Sequence, residues 1–413
     1  MKILLIYPKA FYMTPWIPIG LLNIASYLRK NKFTDVDFID INFERYDTLL
    51  FKLSNVDIIG IGGTTIQYNS AKTIAKYIRG HSKNAVIVFG GPHFSASDQI
   101  VTCLEHGDIC AIGEGEETFL EICQNKKLDD IRGIAFKKDG KVFINEDRDL
   151  ISCLDDVPYP AYDLIDPGVY DDALIDGQRC FSIMTGRGCP NNCYFCASPN
   201  IWKRRVRNNS MGYIRDHIFY LIDKYHIKNL RIMDDTFSLS RDRVFEFCDM
   251  VETNRIRLNM NFLTSVNNTD LDLLKRMKSV GFSIVGLGIE SGSERILKNV
   301  SKGIGIDKIK QAVANVKTAG IRVQCLFMIG NIGETEESIQ DSIVLSRELQ
   351  CYSAYFQFAV PYPGTRFYKD YKNHGDIITN NFDEFNPRKV VFVPKGLTKE
   401  KMEMYMDIAM RRI

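Results

Sequence analysis

The sequence predicts an α/β protein in two successive parts: an N-terminal doubly wound parallel sheet of Rossmann type, then a partial (β/α)6 barrel related to the eight-unit TIM form, followed by a short C-terminal helical segment. Three observations carry this. Five short apolar runs, each ending in turn residues and leading into a helical pattern, fill residues 1–133. Six more strand candidates separated by helical patterns follow from Arg179. Between the two series lies a proline-rich, acidic stretch, Leu154-Asp-Asp-Val-Pro-Tyr-Pro-Ala-Tyr-Asp-Leu. Continuous apolar strands joined by helical crossovers are buried on both faces, which is the pattern of parallel sheets.

In the first series the strands are Lys2 to Tyr7, Val36 to Ile41, Asp57 to Ile61, Ala85 to Phe89 and Ile109 to Ile112, with Ile74, Ala75 and Ile78 marking one helix. Glycines end three of them, in Gly60-Ile-Gly-Gly, Gly90-Gly-Pro-His and Gly113-Glu-Gly-Glu. A carboxyl edge of bare backbone forms the crevice in which doubly wound folds hold ligands; glycines that only make tight turns are the alternative reading. No G-x-G-x-x-G follows the first strand, so the dinucleotide pattern fails at its defining place. The hairpin-like Lys137-Lys-Asp-Gly-Lys-Val-Phe and the proline stretch read as an interdomain connection. The expected units are therefore 1–133, a linker at 134–178, a barrel at 179–373 and a C-terminal segment at 374–413.

Barrel strands are expected at Phe181 to Thr185, Asn229 to Met233, Leu258 to Leu263, Ser283 to Ile289, Ile321 to Ile329 and Ala354 to Ala359. One helix between them has Thr269 as its expected N-cap, Leu271, Leu274 and Met277 on one face and Gly281 at its end; another runs through Ile309, Val313 and Val316 to Gly320. In the last segment Phe382, Phe385 and Phe392 are expected to line an apolar pocket or pack on the barrel, and Met402, Met404, Met406 and Met410 to be core or lid. Cys180, Cys248, Cys325 and Cys351 sit in or beside apolar runs as packed small side chains.

Composition narrows the function. With 53 basic and 51 acidic residues the net charge is +2, which argues against a general nucleic-acid-binding surface. No apolar run reaches the roughly eighteen residues of a transmembrane segment. A cytoplasmic setting, in which the 11 cysteines stay reduced, is expected.

The chemistry is concentrated after the first barrel strand, in Thr-Gly-Arg-Gly-Cys189-Pro-Asn-Asn-Cys193-Tyr-Phe-Cys196. C-x-x-x-C-x-x-C gathers three thiolates on one loop, and a four-iron cluster with three protein ligands keeps one iron open to chemistry. Structural zinc takes four ligands, and no second C-x-x-C or H-x-x-x-H completes such a set. Other strand ends carry Asp234-Asp-Thr-Phe, Gly288-Ile-Glu-Ser-Gly-Ser, Gly330-Asn-Ile-Gly-Glu-Thr and Pro361-Tyr-Pro-Gly-Thr. Each alone suits a helix cap; together they line the end of a barrel where active sites lie. The run Lys203-Arg-Arg-Val-Arg207 is either a solvated turn or an arginine reaching a carboxylate or phosphate of cofactor or substrate.

These residues resemble the radical S-adenosylmethionine superfamily: the three cysteines, Phe195, Asp234, Asp235, Glu290, Ser291, Gly330 and Glu334, over Arg179 to Asn373. The resemblance implies that Cys189, Cys193 and Cys196 hold a 4Fe-4S cluster and that the other seven surround S-adenosylmethionine on its open iron. An electron from the cluster would then cleave the sulfonium to a 5′-deoxyadenosyl radical that takes a substrate hydrogen. Where the family often has G-G-E, this chain has Met-Asp234-Asp235-Thr. The N-terminal part resembles the cobalamin-binding domain that precedes this barrel in one large subgroup. That likeness implies cobalamin at Gly62, Thr64, Thr65, Gly90, Gly91, His93, Gly113, Glu114 and Gly115, with the macrocycle over Gly62 to Thr65 and the nucleotide tail near Gly90, Gly91 and Gly113. The D-x-H-x-x-G signature is absent, since Pro8 to Gly20 contains no histidine, so no protein histidine is expected on cobalt. The implied activity is C-methylation of an unactivated carbon of a small, natural-product-like molecule, with flavodoxin or ferredoxin as electron donor. A radical rearrangement, dehydration, cyclisation or oxidation without methyl transfer, and a non-enzymatic cluster or zinc module, are the other classes left open.

Overall fold

The computed structural model describes every residue except 12–15, 171–173, 176–177 and 412–413. Part of the expected linker, and part of the loop read for a cobalt-binding histidine, lie outside the described residues.

The first sheet contains β1 (Ile3–Tyr7), β2 (Val36–Asp40), β3 (Ile58–Gly62), β4 (Val86–Gly90) and β5 (Ile109–Ala111), parallel and in the order 2-1-3-4-5. Helices α1 (Ile19–Lys30) and α5 (Glu116–Cys123) cover one face, packing Leu22, Ala25, Leu28, Phe119 and Ile122 on Ile3, Leu5, Ile58 and Val88. Helices α2 (Tyr46–Lys52), α3 (Tyr68–His81) and α4 (Ile100–Cys103) cover the other, over Leu4, Ile6, Ile59, Ile61 and Ile87. Adjacent strand residues thus enter opposite cores, the consequence of the two-residue strand period in a doubly covered sheet.

One expectation is corrected here. The hairpin placed in the linker is β6 (Ile134–Lys138) and β7 (Lys141–Ile144), and it extends the first sheet antiparallel beyond β5, with Ile109 opposite Phe136. Its lysines and Asp-Gly turn read as polar connection, but Ile134, Ala135 and Phe136 are buried and finish the sheet edge. We place the end of the first unit after Ile144.

The second sheet has six parallel strands in sequence order: β8 (Phe181–Ile183), β9 (Asn229–Ile232), β10 (Asn259–Thr264), β11 (Phe282–Glu290), β12 (Arg322–Ile329) and β13 (Ser353–Phe358). Each expected barrel strand is present within a few residues. Among the crossover helices, α9 (Leu271–Ser279) is capped by Asp270, whose side chain accepts from Leu273 N at 3.0 Å, rather than by Thr269. Thr269 is buried and donates its hydroxyl to Val266 O, because the carboxylate one residue later reaches the N3 amide.

The C-terminal segment joins both units. Phe392 packs edge-on against Phe367. Phe382 contacts Tyr68 and His93 of the first unit, with ring centroids 5.5 and 5.0 Å away. In α14 (Lys399–Met410), Met402 is fully buried against Gly330 whereas Met404 and Met410 are exposed. Among the described residues no helix is long and apolar enough to cross a membrane.

Candidate functional site

The cysteine loop leaves and re-enters the barrel through a two-stranded ribbon, Gly186–Arg187 against Arg207–Asn208, with Arg187 directly opposite Arg207. Gly188 has φ +100°, and a Cβ there would meet Arg205 O at 2.0 Å, so only glycine makes this closure. Inside the loop Cys196 N donates to Cys193 O at 3.1 Å, and Ser198 N approaches Cys196 Sγ at 3.4 Å. Thr236 Oγ1 lies 3.6 Å from Cys189 Sγ, and Phe195 packs into the apolar cluster around Tyr194, Ile296 and Phe392. Burial pushes the Cys196 thiol up to about 12, and it also raises Cys193. Such thiols ionise only with cationic compensation, which bound iron supplies. Among the described residues no three His, Cys, Asp or Glu side chains close to the spacing of a single ion. Three cysteines on three different irons do not need that spacing, so the donor set fits a cluster better than zinc.

The acidic strand ends divide. Asp234 is buried and accepts from the amides of Thr185, at 2.7 Å, and Gly186, at 3.1 Å, as well as from the Thr185 hydroxyl. Its carboxylate is thus engaged in tying β8 to β9 at the root of the cysteine loop, and burial pushes its carboxyl up to about 6. Asp235 is exposed and accepts from Ser198 Oγ at 3.1 Å, beside the loop. The buried Ser291 hydroxyl meets Ser342 of α12 (Glu336–Glu348) and accepts from the Ser293 amide, packing this strand end on a helix. Glu334 is buried with one carboxylate oxygen on the amides of Gly330 and Asn331, and burial pushes it up to about 7. Gly330 itself, with φ +95°, lies beneath Met402, where a Cβ would come within 2.5 Å of the methyl group.

Glu290 follows a bulge between Gly288 and Glu290 and holds φ +71°. Its carboxylate pairs with Lys302 Nζ at 2.6 Å, with both side chains nearly buried. The loop that carries Lys302 packs on the cysteine loop: Tyr194 N donates to Val300 O at 2.9 Å, and Arg366 bridges Asn192 O and Ser301 Oγ. Sequence reasoning missed Lys302, which follows a helix end and belongs to no motif. Removing one partner of a buried pair costs about 3 to 5 kcal/mol. Lys302→Met is therefore expected to lower stability by about that much in chemical denaturation, and Glu290→Gln in the same chain to recover part of it; a surface-like loss under about 1 kcal/mol would contradict the pair's burial.

A cavity of about 370 Å³ lies at the carboxyl edge of the first sheet. Gly62, Thr64, Gly90, Gly91, Gly113 and Gly115 line one side, and Met184, Arg187, Ile201 and Trp202 of the barrel unit line the other. The cradle is built of missing side chains: a Cβ on Gly113 would meet nothing within 4 Å, and one on Gly90 only Ala111 at 3.8 Å. Backbone and apolar surface of this kind suits a bulky cofactor tail. Ser95 joins the glycine loops by accepting from Gly113 N and donating to Gly91 O.

Two expected cofactor contacts lie off the cavity wall, and a third is on it but paired within the protein. Thr65 and His93 do not line the cavity; they meet each other at 3.3 Å, and the His93 ring packs among Tyr68, Phe94 and Phe382, where burial pushes it down to about 3. Glu114 contributes to the cavity wall, but its carboxylate is committed to Arg187, Arg207 and the Ile151 amide. Arg207, at the end of the basic run, thus reaches a carboxylate of the protein itself; Lys203 pairs with Asp147. Arg187 and Glu116 sit inside the cysteine and glycine motifs, but only folding brings them together and gives them a role.

The Radical SAM superfamily model matches residues 183–345, and the B12 binding domain model matches residues 12–123. The chain belongs to the radical SAM superfamily, in the subgroup that carries a cobalamin-binding domain ahead of the barrel, and it is a radical SAM enzyme. Its cofactors are a 4Fe-4S cluster, S-adenosylmethionine and cobalamin. It is 32% identical over 97% of its length, and 90% of the relative's, to a protein of Pyrococcus horikoshii called uncharacterized methyltransferase PH0819. Its fold is similar to that of the methyltransferase TsrM from Kitasatospora setae, with TM-score 0.76 and 16% identity over 98% of this chain and 85% of that one. The cobalamin-dependent radical enzyme OxsB superposes with TM-score 0.80 and 17% identity over 98% of this chain but 65% of its own, so the chain spans less than two thirds of that protein.

Proposed function

We propose that the protein is a cobalamin-dependent C-methyltransferase that acts on an unactivated carbon of a small molecule. The observation that carries this reading is the shared cavity: the glycine edge of the first unit and four residues flanking the cysteine loop, Met184, Arg187, Ile201 and Trp202, line one space, with Arg187 two residues from Cys189. A reaction passing a group between two cofactors needs that adjacency, whereas a rearrangement run from the cluster alone does not. When bound, the cluster and S-adenosylmethionine supply a 5′-deoxyadenosyl radical and cobalamin supplies the methyl group. Cys189, Cys193 and Cys196 hold the cluster in this reading, Asp235 and the Glu290–Lys302 pair present charge beside it for the amino-carboxylate and ribose, and Phe195 closes its apolar side. Gly62, Thr64, Gly90, Gly91, Gly113 and Gly115 seat the cobalamin. The name of the Pyrococcus relative supports methyl transfer. A flavodoxin or ferredoxin as reductant and a cytoplasmic setting complete the proposal.

The test is anaerobic turnover with methyl-labelled S-adenosylmethionine, reductant and a small-molecule extract of the host. Expected are both 5′-deoxyadenosine and S-adenosylhomocysteine, the second only with cobalamin present, and label in one extract component. Accumulation of 5′-deoxyadenosine without S-adenosylhomocysteine would move the reading to radical rearrangement or oxidation.

A further inference from the structure

The two arginines that close the cysteine loop stand opposite each other on the ribbon, an arrangement in which like charges repel. Glu114 reaches across from the first unit to separate them: Arg187 Nη1 donates to its Oε1 at 2.6 Å and Arg207 Nη1 to its Oε2 at 2.7 Å. Glu116 takes the second nitrogen of Arg187 at 2.6 Å. The four side chains are only 3 to 11% exposed, so none of these charges is separately solvated and movement of one carboxylate drags the guanidinium groups with it. Trp202 lies under both guanidinium groups, 5.9 and 5.7 Å from ring centroid to Cζ. Glu114, Glu116 and Trp202 also line the cavity, flanking Gly113 and Gly115, while Arg187 is joined to Cys189 through Gly188 alone.

We propose that this clamp, Glu114 and Glu116 on Arg187 and Arg207, couples the cobalamin cavity to the cluster loop, so that filling either site raises the affinity of the other for its own ligand. The inference rests on the reading of the cavity as the cobalamin seat. A ligand against residues 113–116 and Trp202 restricts the same four charges that close the loop around Cys189, Cys193 and Cys196. Its effect on S-adenosylmethionine binding must then be returned in equal measure, since linkage between two binding equilibria is reciprocal.

The experiment uses the cluster-loaded full chain and four equilibrium titrations: S-adenosylmethionine with and without hydroxocobalamin, and hydroxocobalamin with and without S-adenosylmethionine. The paramagnetic resonance of the reduced cluster is recorded with and without hydroxocobalamin. In the wild type each ligand is expected to tighten the other about tenfold, by the same factor in both directions, and hydroxocobalamin to change the cluster signal. In Arg187→Met, which keeps the apolar stem, the factor falls to one and the cluster signal no longer responds, whatever the change in each ligand's affinity alone, which the same titrations read separately. Glu116→Gln, which keeps shape and an acceptor, falls to about threefold or less and decides the matter should Arg187→Met lose iron. A factor of one in the wild type, or the wild-type factor in a variant that retains its cluster, overturns the coupling. Failure of hydroxocobalamin to bind the wild type at all is seen in the third titration alone and overturns the cavity reading beneath it.

Discussion

Alanine at Cys189, Cys193 or Cys196 is expected to leave the anaerobically reconstituted protein without its four-iron cluster and without any cleavage of S-adenosylmethionine. In the proposed reading each cysteine is the sole protein ligand of one iron, and the loop itself holds no other thiol: of the other free cysteines, Cys103, Cys110, Cys123, Cys180, Cys248 and Cys325 are buried, Cys351 is half-buried beyond the fifth barrel strand and Cys153 is exposed. The loop itself should survive the change, because its closure depends on Gly188, the Asp234 bonds to Thr185 and Gly186, and the Glu114 clamp rather than on sulfur. Iron and sulfide content, brown absorbance bleached by reductant, and 5′-deoxyadenosine release are the measurements. Cys153→Ala is the matched control and retains all of them. A cluster that persists in any one of the three variants shows that the ligands lie elsewhere.

Gly90→Leu is expected to strip cobalamin from the protein, at least about tenfold in bound stoichiometry, while iron stays at the wild-type level. Gly90 ends β4 on the cavity wall with no positive φ, and the first Cβ contact there is an ordinary 3.8 Å to Ala111, so the added side chain enters the cavity instead of deforming the strand. The neighbouring Gly91 is the natural choice from sequence, and the structure rules it out as a clean probe. Its φ is +103°, and a Cβ would stand 2.7 Å from Gly63 O, so any side chain disturbs the backbone of two loops at once. Hydroxocobalamin retention after gel filtration, read by absorbance with iron measured in parallel, checks the result. Equal cobalamin in wild type and Gly90→Leu would place the cofactor outside this cavity.

Much of the molecule is legible before folding is known, and the reason differs from feature to feature. All eleven parallel strands are expected within a few residues because each is a short segment rich in apolar residues, continuous or alternating, whose neighbours are turn residues and helices, a purely local signal. The cysteine loop is legible for the same reason: three ligands within eight positions need no tertiary contact to declare their chemistry. The hairpin at Ile134–Ile144 resembles a connection in sequence because two short strands with a polar turn look alike whether they join a sheet or cross solvent; only the pairing of Phe136 with Ile109 distinguishes them.

Carboxylate roles show the limit most clearly. Asp234 and Asp235 are adjacent and identical in sequence, yet one is buried on the amides of Thr185 and Gly186 and the other is exposed beside Ser198. Glu114 stands between two cavity glycines as a cofactor ligand would, yet it neutralises arginines 73 and 93 positions away. Lys302 has no motif at all and becomes part of the site because the chain after α10 (Glu294–Asn299) packs on the cysteine loop. Sequence by itself made the strands and the three-cysteine motif legible, because local periodicity and close spacing of thiols are properties of short segments. The tertiary structure alone decided which charges face a ligand and which face each other, because a buried charge must find its partner among groups that only the fold brings within hydrogen-bonding distance.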